Sequence, residues 1–260
     1  MRWLLPLLLL PCKLFAQNSS ARERAEKYYA MGIEYRQGSL KSQLYLDSSI
    51  IVDPTFAKGW HEKSVPYLKN GDFITWKPLI DKAVALAPNI HLGTRGWCAF
   101  SFLHDYETAI ADITALETLL QGYLPSSGNG MYPLRMILGL SYREIGNETL
   151  AISTMEKSIA SGNRGLYDYL HLAVTYMQVG QWDKARIALE QSIAGYPGLA
   201  ENYYYLGKYQ LQQHNIAAAR TSFEKAKNCY LHEFHFIDPY VTPLDAVALE
   251  EIEEAIEKLK

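Results

Sequence analysis

His232 and His235 stand three residues apart, with Glu233 and Asp238 close by, and this is the spacing in the chain best suited to chemistry. On a helix, two histidines so placed can hold a divalent metal, and a metal-activated water would make a hydrolase. Third and fourth ligands are not apparent, so surface or packing histidines are the plainer expectation. Cys98 and His104 would form a nucleophilic thiolate–imidazole pair if they met. A spacing of six does not put both on one helix face. There is no nucleophile elbow, zinc-protease signature or phosphate loop. The residues therefore predict no catalytic group, no metal and no cofactor.

The positions that remain must serve packing or binding. The chain has 260 residues, 48% of them hydrophobic, which is too apolar for a disordered chain. Its formal charge of −3 leaves no basic surplus for a phosphate backbone, so no nucleic-acid partner is expected. Residues 1–16 have a positive start at Arg2, an apolar run from Trp3 to Leu10, and a small residue, Ala16, before Gln17. This is the pattern of a secretory signal peptide. The run is too short to span a bilayer, so the expectation is a secreted or periplasmic chain with no membrane span after cleavage. Cys12 leaves with the signal, and Cys98 and Cys229 are expected to be free thiols, because they fall in distant repeats.

Those repeats have a period of 34 residues. Residues 132–165 carry Leu138-Gly139, Tyr142, Gly146 and Ala151. Residues 166–199 carry Leu172-Ala173, Tyr176, Gly180, Ala185 and Pro197, and residues 200–233 carry Leu206-Gly207, Ala219, Phe223 and Ala226. The frame runs backward through 57–90, through 90–123 (one residue long in its internal turn) and through a weaker copy at 24–56 with a shortened turn. An insert at 124–131, LPSSGNGM, reads as a flexible connector. Within each unit, apolar residues recur at helical spacing on both sides of a Gly-containing break, which predicts two amphipathic helices. Gly139, Ala173 and Gly207 on the first helix, and Ala151, Ala185 and Ala219 on the second, are small where two helices must approach closely.

These residues resemble the tetratricopeptide repeat (TPR) family, with departures at Trp76, where the family prefers Ala, and at Gln121 and Asn163, where it prefers Pro. The resemblance implies an all-α, right-handed TPR solenoid of about six helix-turn-helix units closed by a C-terminal capping helix. It also implies a concave groove lined by the first helix of each unit. On that frame the groove residues are Tyr29, Arg36, His61, Arg143, Tyr167, Leu170, Val174, Tyr204 and Lys208. An apolar and aromatic trough with scattered bases suits a peptide or partner protein. The function expected is a non-catalytic interaction scaffold. The alternatives are a self-associating structural protein of the cell envelope or a metal-dependent hydrolase at His232 and His235.

Beyond the last repeat, residues 234–243 form an aromatic linker broken by Pro239 and Pro243. The plain expectation is that it packs on the final repeat; the sharper one is that it folds into the groove. Residues 244–260 read as an amphipathic capping helix, with Thr242 as N-cap and six acids, Asp245 among them, on its outer side.

Overall fold

The computed structural model describes the backbone of residues 10–128, 130–163 and 165–259, and side chains over residues 20–259 apart from Asn129 and Arg164. Among the described residues the chain is all-α, with thirteen helices and no strand beyond two isolated bridges. This is the TPR-solenoid fold class. The chain divides into two compact units, one running to Arg95 and one starting at Gly96.

The first unit contains α1 (Leu10–Ile33), α2 (Leu40–Val52), α3 (Ala57–Lys69) and α4 (Phe73–Leu86), each packed on the next. The signal-peptide expectation falls in part on residues 1–9, which lie outside the described residues; α1 begins at Leu10. No described helix is long and apolar enough to cross a membrane. α5 (Pro88–Cys98) spans the division.

The second unit continues with a π-turn (Ala99–Leu103), then α6 (Tyr106–Leu119), α7 (Leu134–Glu144), α8 (Glu148–Ala160), α9 (Asp168–Gln178), α10 (Trp182–Gly195), α11 (Ala200–Gln212) and α12 (Ile216–His232). These stack in chain order, and the last helix, α13 (Leu249–Glu257), packs on α12.

Each hairpin turns through one residue in the left-handed region: Gly38, Gly71, His104, Gly146, Gly180 and His214. The next residue caps the second helix, and the side chains of Ser39, Asp72, Asp105, Asn147 and Asn215 each accept a backbone N–H. The small residue of the first helix lies seven positions before the left-handed one in Gly139–Gly146, Ala173–Gly180 and Gly207–His214, but eight before it in Gly96–His104. The extra residue of that repeat sits in the π-turn, where one residue too many is absorbed without breaking the helix.

The small residues are needed. A Cβ on Gly139 would stand 2.7 Å from Met155 Cγ and 3.2 Å from the Ala151 carbonyl oxygen, and one on Gly207 would stand 2.6 Å from the Phe223 ring. Ala151, Ala185 and Ala219 are fully buried opposite them. Cys98 and Cys229 are free and buried.

Two segments differ from expectation. The 124–131 insert is tied down: Ser127 N–H donates to the Tyr132 carbonyl (2.7 Å), Leu134 N–H to that of Pro125 (2.9 Å) and Leu166 N–H to that of Met131 (3.1 Å). Its turn-forming composition builds a closed loop anchored to the next repeat. The C-terminal helix does not begin at residue 244. Asp245 takes a left-handed conformation (φ 64°), and α13 starts only at Leu249, where the Glu251 carboxylate accepts the Ala248 N–H. Ile252 is fully buried, with Ile256 packed beside it, and Glu250, Glu251, Glu253, Glu254 and Glu257 are exposed as expected of a cap. Asp245 is not one of these outward acids.

Candidate interaction face

The first helices α7, α9 and α11 are neighbours and together form one face of the second unit. α7 and α9 are buried nearly all round: in each, eight of eleven residues are inaccessible, a pattern of helices covered on both sides. In α7 these include Met136, Leu140 and Arg143, and in α9 Leu170, His171 and Val174. The second helices α8 and α10 bury only one stripe.

The chain after α12 covers this face. Phe234 lies parallel to Leu199, and its carbonyl accepts the Ala200 N–H at 2.9 Å. Phe236 N–H donates to the Glu201 carboxylate at 2.9 Å. Burial raises the Glu201 carboxyl above its ordinary range, with the Phe236 N–H opposing. The Phe236 ring lies tilted at 4.0 Å from that of Tyr167 and 5.9 Å from that of His171. Asp238 closes a turn by accepting the Tyr240 and Val241 N–H groups. Asp245 then inserts its carboxylate between α7 and α9, where Oδ2 accepts from Arg143 Nη1 (2.9 Å) and from His171 Nδ1 (2.7 Å).

This carboxylate is almost wholly buried, as are both partners. Burial alone would raise its pKa, but Arg143 and His171 outweigh that and hold it below the ordinary carboxylate range. Since a carboxylate only accepts, His171 Nδ1 carries the proton of that bond. Its Nε2 is buried without a described partner. A cavity of about 40 Å³ remains under the segment, with Trp97, Ile137 and Leu140 on one side and Asp238, Val241 and Leu244 on the other.

The expected groove residues fall into both units. In the second, Arg143 and Tyr167 touch the C-terminal segment, Leu170 and Val174 are buried, and Tyr204 is half-buried beside the α13 cluster. Lys208 is exposed, its ammonium 5.6 Å from the Tyr204 ring. In the first unit Arg36 is not on a first helix as expected: α1 ends at Ile33 and Arg36 is exposed in the turn that follows, its carbonyl accepting the Ser39 N–H, while Tyr29 packs edge-on against Phe56 (5.5 Å). His61 lies 5.0 Å from His91, whose pKa is lowered to about 4 by burial and then by His61 and Lys58.

Glu201, on the groove side of the repeat frame, belongs to the face; His171, Phe236 and Asp245 complete it and were not among the expected groove residues. The aromatic run is the signal that pointed to Phe236; nothing local in the sequence marks His171 or Asp245.

The chemical candidates are not drawn into a site. Burial pushes the Cys98 thiol far up, away from thiolate, and His104 pairs with the Tyr106 hydroxyl at 3.1 Å. His235 stacks on Tyr230 at 3.9 Å. No three His, Cys, Asp or Glu residues cluster as metal ligands among the described residues.

Residues 169–198 match the tetratricopeptide repeat family. Solved structures share the fold at low identity. PilF of Pseudomonas aeruginosa aligns with a TM-score of 0.66 at 16% identity, over 92% of this chain and 99% of that one. PilW, described as a widely conserved type IV pilus biogenesis factor, aligns with a TM-score of 0.65 at 16% identity, over 80% and 94%. A chain of the APC/C hetero-tetramer Cut9–Hcn1 aligns with a TM-score of 0.64 at 16% identity; 95% of this chain is covered, but it spans only 45% of that one. The sequence finds no match among curated proteins.

Proposed function

The chain has the tetratricopeptide-repeat fold and carries a recognisable repeat of that family at residues 169–198, and on that premise we propose that it is a non-catalytic interaction scaffold whose first-helix faces bind a peptide or partner protein. The observation that carries this reading is the face formed by α7, α9 and α11. It presents an aromatic pocket at Tyr167 and a buried pair of hydrogen-bond donors, Arg143 and His171, and it already accommodates a length of non-helical chain. Extended segments bind in this way when backbone hydrogen bonds supply affinity and pockets for alternate side chains supply selection.

Export through residues 1–16 would place the scaffold in the cell envelope, and the likeness to a pilus biogenesis factor is compatible with that setting. Similarity of 16% carries the fold and leaves the pathway to experiment. The test is co-purification from the native envelope with wild type and with Lys208→Glu, which reverses the charge of an exposed residue on α11. Loss of the partner supports the reading, and equal recovery of every bound protein counts against it.

A second reading is favoured by one feature of the first unit. Leu40, Leu44 and Ile51 form an exposed apolar stripe on α2, each more than half accessible. Such a stripe suits self-association. Light scattering with size exclusion is expected to give a dimer that Leu44→Lys dissociates; a strict monomer at high concentration removes this reading.

A further inference from the structure

We propose that residues 234–248 are a built-in, displaceable occupant of the α7–α9–α11 face, and that in trans this face takes an extended peptide of the same chemistry, an aromatic side chain followed by a carboxylate. The proposal rests on the reading of this face as a recognition surface and names its ligand class.

The contacts have the form of a bound peptide. Between Glu233 and Ala248 the chain has no regular element. It pairs its backbone with the start of α11 and drops single side chains into pockets of other helices, Phe236 against Tyr167 and Asp245 between Arg143 and His171. Aromatic and charge-paired anchors in desolvated pockets are where binding energy concentrates. The pocket also favours an anion: Arg143 Nε is held by the adjacent Glu144 carboxylate at 3.0 Å, and its buried Nη1 is left to a second acceptor, which Asp245 supplies at 2.9 Å beside His171.

The fit is incomplete in ways that a sealed core would not be. A cavity remains beneath the segment. Ile237 and Tyr240, from the same segment, are 72% and 52% exposed. Asp245 holds a left-handed conformation to reach its partners. Strain, a void and apolar side chains left in solvent all weaken docking relative to a free peptide that lacks them. The chemistry favours an acidic peptide over a polyanion, because the face itself carries a buried carboxylate, Glu201, that accepts a backbone N–H of the occupant.

The test uses the full chain. Phe236→Ser/Asp245→Asn removes both anchors from the occupant and leaves the face intact. Amide exchange over 234–248 is expected to quicken at least tenfold in this variant, with α8 and α10 unchanged. A fluorescein-labelled peptide of residues 233–248 is expected to bind the variant at least tenfold more tightly than it binds wild type. Arg143→Met added to the released chain, or an Asp-to-Asn change in the peptide at the position of Asp245, is expected to reverse that gain. If the segment opens only with global unfolding, it is core and the proposal fails. If it opens but the peptide binds no better, the ligand class is wrong, whereas loss of partner in the Lys208→Glu variant would still uphold the scaffold reading.

Discussion

A carboxylate sealed between a guanidinium and an imidazole makes a definite statement about pH. The Asp245 carboxyl is held low in the folded chain, so its contribution is fully present above the unfolded carboxylate pKa of about 4 and is lost as pH falls through the lower folded value. Replacing it with Asn is expected to cost about 1.5–3 kcal/mol at neutral pH, the worth of hydrogen bonds to charged groups. The gap between wild type and Asp245→Asn should close below about pH 4. Glu201, whose carboxyl is raised, shifts stability in the opposite sense, but it does so in both proteins and cancels in the difference. Urea titrations of the pair across pH 3–7 check this, and a gap that stays constant to pH 3 would show that the pairing contributes nothing. Asp245 was misplaced in the sequence because Thr242-Pro243-Leu244-Asp245 has the composition of a helix start. A partner 102 residues upstream decides its conformation, and no local pattern encodes that.

Helix pairs are the level at which the sequence was most legible, because their signals are local. Small residues, left-handed turns and caps recur in step, and even the one-residue surplus before His104 was visible, although its resolution as a π-turn was not. One repeat breaks the rule. Gln181 occupies the capping position of α10 with φ −83° and ψ 61°, close to Asn147 and Asn215, yet makes no side-chain cap. Gln181→Asn is expected to add about 1 kcal/mol, a rise in melting temperature of about 2–4 °C. No rise would mean that the α10 start is already satisfied. Conversely, Gly207→Ala must displace the Phe223 ring and is expected to cost about 1–3 kcal/mol despite its better helix propensity. A neutral result in thermal unfolding would mean that α11 and α12 can separate freely. The groove side was harder to read. Leu170 and Val174 are apolar on the side assigned to a groove, and their burial within the folded chain explains them as well as a ligand would.

For the whole molecule, the cadence of repeats carried the fold class, and what lies between and beyond the repeats had to be seen. The insert at 124–131 and the segment at 234–248 have no period, and their structure comes from long-range hydrogen bonds. A stack of repeats that touch only their neighbours needs a polar end, and α13 supplies it in the second unit: Ile252 seals Ala226 and Val247, with Tyr203, Tyr204 and Tyr205 packed around them. In such a quasi-linear arrangement damage at the end should stay local. Ile252→Ala removes a fully buried side chain, a change that costs about 2–5 kcal/mol in a closed core. Here the loss is expected to appear as rapid amide exchange confined to 249–257, with α7 to α10 still protected. The uncovered tyrosines should then drive end-to-end association, seen as concentration-dependent light scattering. If protection falls equally throughout the second unit, the repeats unfold as one body and α13 is part of their common core.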